Sequence, residues 1–211
     1  MAGKPAAGTT GCGVESVSMS LAKEKRELRA VCLARRKGFH IEAGDDAAQG
    51  LADQFFSVLS PKPGSIISGY MAMGEEVAPM PLMIRLHENG YSCALPVVEE
   101  RGQPLRFRHW RPGDPLVPGI WDIPVPTAGA REVQPDLMLV PLLAFDHDGY
   151  RLGYGGGFYD RTIEALRGRG TLAVGVAYSC QEMEAVPRGP HDQKLDWIVT
   201  EAYARPFRDP K

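Results

Sequence analysis

The chain has 211 residues, of which 44% are hydrophobic and 24% are charged, and this composition is typical of a globular domain with an ordinary core. The formal net charge of −2 excludes a global basic field that would recruit nucleic acid or an anionic membrane surface. No apolar run approaches the roughly 20 residues that cross a bilayer, and the four cysteines form no CxxC pair. We therefore expect a cytoplasmic protein with reduced thiols, no zinc site, no membrane partner and no nucleic-acid partner.

The first 18 residues are rich in Gly, Ala, Ser and Thr, and Lys4 is their only basic residue. Because a secretory signal needs a long apolar stretch and a mitochondrial presequence needs arginines, neither is predicted. We expect a disordered tail over residues 1–18, with Met19 as an alternative start of translation. One domain is then expected over residues 19–207.

The first helix is predicted from Ser20, as its N-cap, to about Lys37, because apolar residues recur there with a period near 3.6. Lys25, Arg29 and Arg36 lie at one edge of the apolar stripe, at positions i, i+4 and i+11. From the helix alone, two interpretations stay open. Either they form a solvated basic flank that covers the core, or Lys25 and Arg29 reach over the helix edge into a phosphate site. The residues expected to face inward are Leu21, Leu28, Val31 and Cys32.

The rest of the chain alternates between helices and strands. Continuous apolar runs are typical of strands buried on both faces, so we expect an α/β layered, Rossmann-like domain around a mostly parallel, mixed sheet. The Pro-rich residues 111–135 are expected to form a long irregular connection. Helices are predicted from Asp45 to Pro61 with Leu51, Phe55 and Leu59 inward, from Pro79 to His87, and up to Arg167; strands are predicted over 65–72, 91–95, 104–110, 137–143, 171–178 and 197–200.

A glycine-rich segment, Arg151-Leu-Gly-Tyr-Gly-Gly-Gly-Phe-Tyr-Asp160, lies between a predicted strand and a predicted helix. Backbone N–H groups of such a turn and the positive end of the helix dipole bind phosphate groups. A Walker A loop is excluded because no Gly-Lys-Ser/Thr follows, and a dinucleotide fingerprint is excluded because Phe158 occupies the place of its third glycine. A purely structural turn stays open.

The longer string from residue 140 to residue 161 resembles the signature of the 5-formyltetrahydrofolate cyclo-ligase family. Four further matches follow the family's order: Lys25-xxx-Arg29, the acidic segment Tyr70–Val77, Trp121-Asp-Ile-Pro, and the closing pattern from Val174 to Thr200. The resemblance covers roughly residues 22–205. It implies a fold similar to that of ribose-phosphate isomerases.

The resemblance also implies an enzyme that closes 5-formyltetrahydrofolate to 5,10-methenyltetrahydrofolate while converting ATP to ADP and phosphate. In this chemistry ATP phosphorylates the formyl oxygen, the neighbouring folate nitrogen attacks, and phosphate leaves. The implied partners are a reduced folate and ATP, with Mg²⁺ as the cofactor, and the expected assembly is a monomer or weak homodimer.

Site residues carry over by position. The resemblance implies magnesium ligands at Asp160 and Asp192, catalytic roles for Arg151, Tyr154 and Asp160, and folate contacts from Met71, Glu76, Trp121, Tyr154 and Phe158. The implied ATP-binding residues are Lys25, Arg29, Arg151, Leu152, Gly153, Tyr154, Gly155, Gly156, Gly157, Phe158 and Tyr159.

Several alternatives stay open. Glu75 is adjacent to Glu76 and is an alternative match to the pterin-binding carboxylate, and Gly156 stands where some members of the family carry a Lys. The alternative for Asp160 is a purely structural role at the N-terminus of a helix, where its charge satisfies the helix dipole. The alternative for Asp192 is a turn residue without a metal. Arg106 and Arg108 alternate on a predicted strand, which suggests a solvated face or a contact with the polyglutamate tail of folate.

Two other functions are also compatible with a phosphate-binding turn. One is an isomerase of sugar phosphates, which would need a general base near the phosphates and no ATP. The other is a non-catalytic module that binds folate or nucleotide.

Overall fold

The computed structural model describes residues 12–44 and 46–207. Its helices are α1 (Cys12–Ala43), α2 (Asp46–Val58), α3 (Met80–Glu88) and α4 (Phe158–Arg167), with single 3₁₀ turns at Ile120–Asp122 and Ser179–Gln181. The strands are β1 (Ile66–Ser68), β2 (Ser92–Val97), β3 (Arg106–His109), β4 (Leu116–Pro118), β5 (Pro124–Pro126), β6 (Leu137–Pro141), β7 (Ala144–Phe145), β8 (Arg151–Leu152), β9 (Leu172–Val176), β10 (Trp197–Val199) and β11 (Ala204–Pro206). None of the helices in these ranges is long and apolar enough to span a membrane.

Seven strands form the main sheet, in the order β11-β10-β9-β6-β1-β2-β3. The five inner strands are parallel, whereas β3 and β11 run antiparallel at the two edges. The mostly parallel, mixed sheet predicted from the apolar runs is therefore confirmed. The chain passes from β1 to β2 on one side and from β6 to β9 and β10 on the other, which makes the β1–β6 junction the switch point of the sheet. In open α/β sheets, ligands bind at the carboxyl ends of the strands at such a point.

The sheet has a helical layer on each face. Alternate residues of one strand point to opposite faces, so Leu139 packs in the cluster that contains Phe55 of α2, while Met138 packs in the cluster that contains Ile163 of α4. The predicted inward face of α2 is confirmed, since Leu51 and Phe55 are fully buried. Full burial of an aliphatic or aromatic side chain of this size contributes about 1.5–3 kcal/mol.

The first helix differs most from the prediction. It begins at Cys12 and not at Ser20, so residues 12–18 of the predicted tail are helical, while residues 1–11 lie outside the described residues. No proline lies between Cys12 and Lys37, and each residue added to an existing helix gains a hydrogen bond. The prediction that Val31 faces inward is wrong, because its side chain is 62% exposed. Cys32 is buried as predicted.

The Pro-rich connection over residues 111–135 contains the β4–β5 hairpin, which the sequence did not predict. The β7–β8 hairpin and the edge strand β11 were also missed. These strands have only two or three residues, so they show neither alternation nor an apolar run. Such short strands carry too little pattern to be recognised.

Candidate active site

A cavity of about 710 Å³ opens at the carboxyl edge of the sheet. Its floor includes Pro96 at the end of β2 and Pro141 at the end of β6, and α1, the glycine-rich segment and the β4–β5 hairpin form its walls. The cavity therefore lies at the switch point of the sheet. The structure brings all the predicted site residues to this one cavity: Lys25, Arg29, Met71, Glu76, Trp121, the ten residues 151–160, and Asp192.

The glycine-rich loop curls against α1 and ends at the N-terminus of α4. Arg29 Nε donates a hydrogen bond to the Gly153 carbonyl oxygen at 2.8 Å. Gly155 has a φ of +101°, and a Cβ there would also lie 3.3 Å from Arg29 Cζ, so both backbone and space demand glycine. Gly157 caps α4 with a φ of 65°. Free N–H groups at this helix start, together with the nearby guanidinium, suit an anion such as a phosphate.

Arg151 and Asp160 form a buried ion pair beneath the loop. Arg151 Nη2 donates to Asp160 Oδ1 at 3.0 Å, and the Gln193 backbone N–H donates to the same oxygen at 3.0 Å. The other end of the guanidinium donates from Nη1 to the Gln193 carbonyl oxygen at 2.6 Å. Burial lowers the pKa of Arg151, and the charge of Asp160 opposes that shift. This pairing fixes the Asp160 carboxylate at the cavity wall.

Asp192 is held in a similar way by α1 and by its own turn. Its Oδ2 atom accepts hydrogen bonds from Lys25 Nζ and from the Gly189 backbone N–H. Asp160 Oδ2 and Asp192 Oδ1 accept no hydrogen bond from any residue in the described ranges. Within those ranges no three His, Cys, Asp or Glu side chains cluster as metal ligands. Magnesium in proteins uses one or two carboxylates plus phosphate oxygens and water, so the donor set here fits Mg²⁺ only together with a phosphate.

The opposite end of the cavity is built around Glu76. Its side chain is buried, and its Oε2 accepts a hydrogen bond from the Met73 backbone N–H at 2.8 Å. Burial raises the pKa of Glu76, while the Met73 N–H and the charge of Arg36 lower it. Tyr70 fixes the segment by donating to the Val77 carbonyl oxygen at 2.8 Å. Glu76 lines the cavity whereas Glu75 does not, which favours Glu76 as the pterin-facing carboxylate.

Aromatic side chains cover this end of the cavity. Trp121 lies in the turn between β4 and β5, with its ring edge-on to Phe158 at a centroid distance of 5.8 Å. Its φ of 58° is costly for a bulky residue, and its side chain is 53% exposed. Burial, followed by the charge of Glu76, raises the pKa of Tyr154 to about 12, so its hydroxyl stays protonated and can donate near neutral pH.

The model of the 5-formyltetrahydrofolate cyclo-ligase family matches residues 21–201. The chain belongs to this family. A 5-formyltetrahydrofolate cyclo-ligase of Escherichia coli strain K12 is 31% identical over 171 residues, covering 79% of this chain and 94% of that protein. The structure is similar to that of an Aquifex aeolicus 5,10-methenyltetrahydrofolate synthetase, with a TM-score of 0.74, 31% identity, and coverage of 89% of this chain and 94% of the other. The corresponding enzyme from Mycoplasma pneumoniae has a TM-score of 0.66 and 25% identity, with coverage of 84% and 98%.

Gly156 leaves the middle of the glycine-rich loop without a side chain. A Cβ at this position would lie 2.8 Å from the Phe158 ring, so a side chain would require the ring to move. A cation lies close by, because Arg161 Nη2 donates to the Gly156 carbonyl oxygen at 2.6 Å. Lys25, Arg29, Arg151 and Arg161 thus surround the loop of this cyclo-ligase.

The sequence missed apolar parts of the wall and one charged residue behind it. Pro141 ends β6 and Pro96 is the last residue but one of β2, so the rule that ligands bind at the carboxyl ends of parallel strands was a signal for both. Arg36 was placed with a solvated basic flank, which is wrong because the residue is 2% exposed. Its partners, Glu75 and Glu76, lie far along the chain, so no local pattern marked it.

The positive charges of strand β3, which lies outside the cavity, are compensated by neighbouring glutamates. Arg106 pairs with Glu99 and Glu132, and Arg108 pairs with Glu99. Little free positive charge remains for a polyglutamate tail. The structure therefore favours the solvated strand face.

Proposed function

We propose that this protein catalyses the ATP-dependent closure of 5-formyltetrahydrofolate to 5,10-methenyltetrahydrofolate, with release of ADP and phosphate. The observation that carries the proposal is a single cavity with a phosphate-binding glycine loop at one end and a buried carboxylate under aromatic walls at the other. Membership of the cyclo-ligase family supports the same activity.

At the nucleotide end, Lys25, Arg29 and the N–H groups before α4 hold the ATP phosphates. The formyl oxygen takes the terminal phosphoryl group of ATP as the bond between that group and ADP breaks. The neighbouring folate nitrogen then attacks the formyl carbon, and its N–H proton is lost to the phosphate that leaves. No enzyme nucleophile is needed, so catalysis rests on alignment of the two substrates and on neutralisation of charge on the transferring group. Arg151 supplies charge directly and also fixes Asp160.

Asp160 and Asp192 would hold Mg²⁺, which would supply positive charge to neutralise the ATP phosphates. Lys25 donates to Asp192 in this structure. A phosphate bound at the glycine-rich loop would compete with Asp192 for this ammonium group, which would couple nucleotide binding to metal binding through Lys25.

At the folate end, Glu76 accepts hydrogen bonds from adjacent N–H donors of the pterin ring. Trp121 and Phe158 cover the ring, Met71 lines its apolar side, and Tyr154 donates from its protonated hydroxyl. Exclusion of water here protects the phosphorylated formyl group from hydrolysis.

The remaining proposals concern context. We propose residues 19–207 as the functional domain, a monomer or weak homodimer as its assembly, and the cytoplasm as its location. Free Cys32, Cys93 and Cys180 support a reducing compartment.

The test incubates the purified protein with 5-formyltetrahydrofolate, ATP and Mg²⁺ and follows the near-ultraviolet absorbance of the methenyl product. We expect product only when all three are present, with one ADP formed per methenyl group. A folded protein that gives no product would defeat the proposal. Isomerisation of a sugar phosphate without ATP would support the isomerase alternative; its base would have to come from Asp160 or Asp192, which both pair with cations.

A further inference from the structure

Arg36 lies directly behind Glu76 and does not line the cavity. Its side chain is 2% exposed, and its Nη1 lies 4.0 Å from Glu76 Oε1. Its Nη2 lies 3.9 Å from Glu75 Oε2, and its Cζ lies 5.6 Å from the centre of the Tyr154 ring. The guanidinium therefore faces Glu75, Glu76 and the Tyr154 ring from outside the cavity.

Most of the other groups around Glu76 are neutral. Tyr70 from the segment after β1 and the two loop tyrosines, Tyr154 and Tyr159, have pKa values raised by burial, so they stay protonated. Glu75 adds negative charge in the same segment. Arg36 is the cation that lowers the pKa of Glu76 in this structure.

Three buried polar atoms face this junction without a hydrogen-bond partner among the described residues: Nε and Nη1 of Arg36 and Oε1 of Glu76. A buried charge is costly unless it is compensated, so the charges of Arg36 and of the Glu76 carboxylate stabilise each other here. Oε2 is already engaged with the Met73 N–H. Oε1 of Glu76 is buried and lies 4.0 Å from Arg36 Nη1, so Arg36 is the cation that faces this carboxylate from outside the cavity.

We propose that Arg36 is a positioning residue for the cyclisation, which acts through Glu76 by balancing and orienting the carboxylate that receives the pterin ring. This inference rests on the proposed function of the cavity. A planar guanidinium can face Glu75, Glu76 and the Tyr154 ring at once, which the point charge of a lysine cannot do. Arg36 should therefore govern folate binding while leaving ATP binding to Lys25 and Arg29.

The first measurement is the pH profile of kcat/KM for folate in wild type and in Arg36→Met. Protonated Glu76 cannot accept both pterin donors, so activity falls as pH drops through the folded pKa of Glu76. Removal of Arg36 raises that pKa, and the acidic limb should move to higher pH. A move of about one unit lowers kcat/KM about tenfold at a pH on that limb. KM for ATP should stay unchanged in Arg36→Met. Arg36→Lys should return the acidic side of the pH profile to its wild-type position but should restore only part of the affinity for folate.

Arg35→Met is the matched control, because it removes the same charge from the exposed side of α1 one residue away. It should leave the profile unchanged. Equal losses toward both substrates with an unmoved acidic limb in Arg36→Met would overturn the inference, since a merely structural residue behaves in that way. A wild-type protein without cyclo-ligase activity would instead refute the proposed function.

A double variant tests the same inference even if Arg36→Met does not fold. Glu76→Gln with Arg36→Met removes both charges of the buried pair, and the carboxylate that remains, Glu75, is 35% exposed. If Arg36 acts through Glu76, the double variant should bind folate within about twofold of Glu76→Gln alone. A further loss of about tenfold would mean that Arg36 contacts the substrate itself and would overturn its positioning role.

Discussion

Replacement of Asp160 by alanine should reveal how much the fold depends on the carboxylate that pairs with Arg151. Asp160 accepts hydrogen bonds from Arg151 Nη2 and from the Gln193 N–H, both at 3.0 Å. The Arg151 side chain is only 3% exposed, so loss of its partner leaves a buried, uncompensated guanidinium. Removing one member of a buried pair costs about 3–5 kcal/mol.

Solvent reduces that cost here, because the Asp160 side chain is 26% exposed. We therefore expect Asp160→Ala to lower the free energy of unfolding by about 2–4 kcal/mol, between the values for buried and exposed pairs. For a chain of this length the thermal midpoint should fall by about 5–15 °C. Asp160→Asn keeps the Oδ1 acceptor and should lose less stability, while both variants should lose turnover.

Thermal unfolding followed by circular dichroism measures the effect, and Asp53→Ala is the control. Asp53 pairs with Arg85 at 2.6 Å, but both side chains are well exposed, so the loss should stay within about 1 kcal/mol. Equal midpoints for Asp160→Ala and Asp53→Ala would refute the reasoning that burial makes the Arg151–Asp160 pair important.

Three further predictions follow from individual contacts. Lys25→Met should raise KM for ATP about tenfold or more in steady-state kinetics, because one charge-assisted phosphate contact is lost, whereas Lys23→Met, at an exposed site, should not. Gly155→Ala should lower the free energy of unfolding measured in urea by about 1–2 kcal/mol, because the backbone φ of Gly155 is positive. Gly153→Ala should lower it by less, because no atom lies near the added Cβ. Equal losses in the two variants would contradict the argument from backbone strain. Burial raises the pKa of Tyr178 to about 12, so this tyrosine ionises first in the unfolded state. The free energy of unfolding should therefore fall as pH rises from about 10 to 12. Tyr178→Phe should make that fall less steep when unfolding free energies are measured across the range.

The sequence was most informative where the types of residue and their spacing along the chain indicate the same structure. The buried runs over 137–143 and 171–178 predicted parallel strands, and β6 and β9 form the centre of the sheet there. The glycine-rich segment predicted a phosphate-binding turn before a helix, and the loop does precede α4. These features depend on neighbours within a few residues, so they can be predicted from a local sequence pattern.

Features that depend on distant partners were not predictable in the same way. β11 is an edge strand of three residues whose pairing with β10 supplies its order, and nothing in Ala-Arg-Pro marks it as a strand. Arg36 is indistinguishable from a solvated helix arginine until Glu76, forty residues later, is brought next to it at the cavity wall. The site residues themselves came from resemblance to a family, and composition alone would not have selected them.

The helix α1 also limits how the length of this chain can change. Lys25 and Arg36 are eleven residues apart, which is about three turns and about 16 Å, so both face the same side of the helix. One inserted or deleted residue between them would rotate one end by about 100° relative to the other and remove either the nucleotide contact or the contact with Glu76. Substitutions at the exposed positions of this stretch are tolerable, but its number of residues is fixed by the need to keep Lys25 and Arg36 on the same side of the helix.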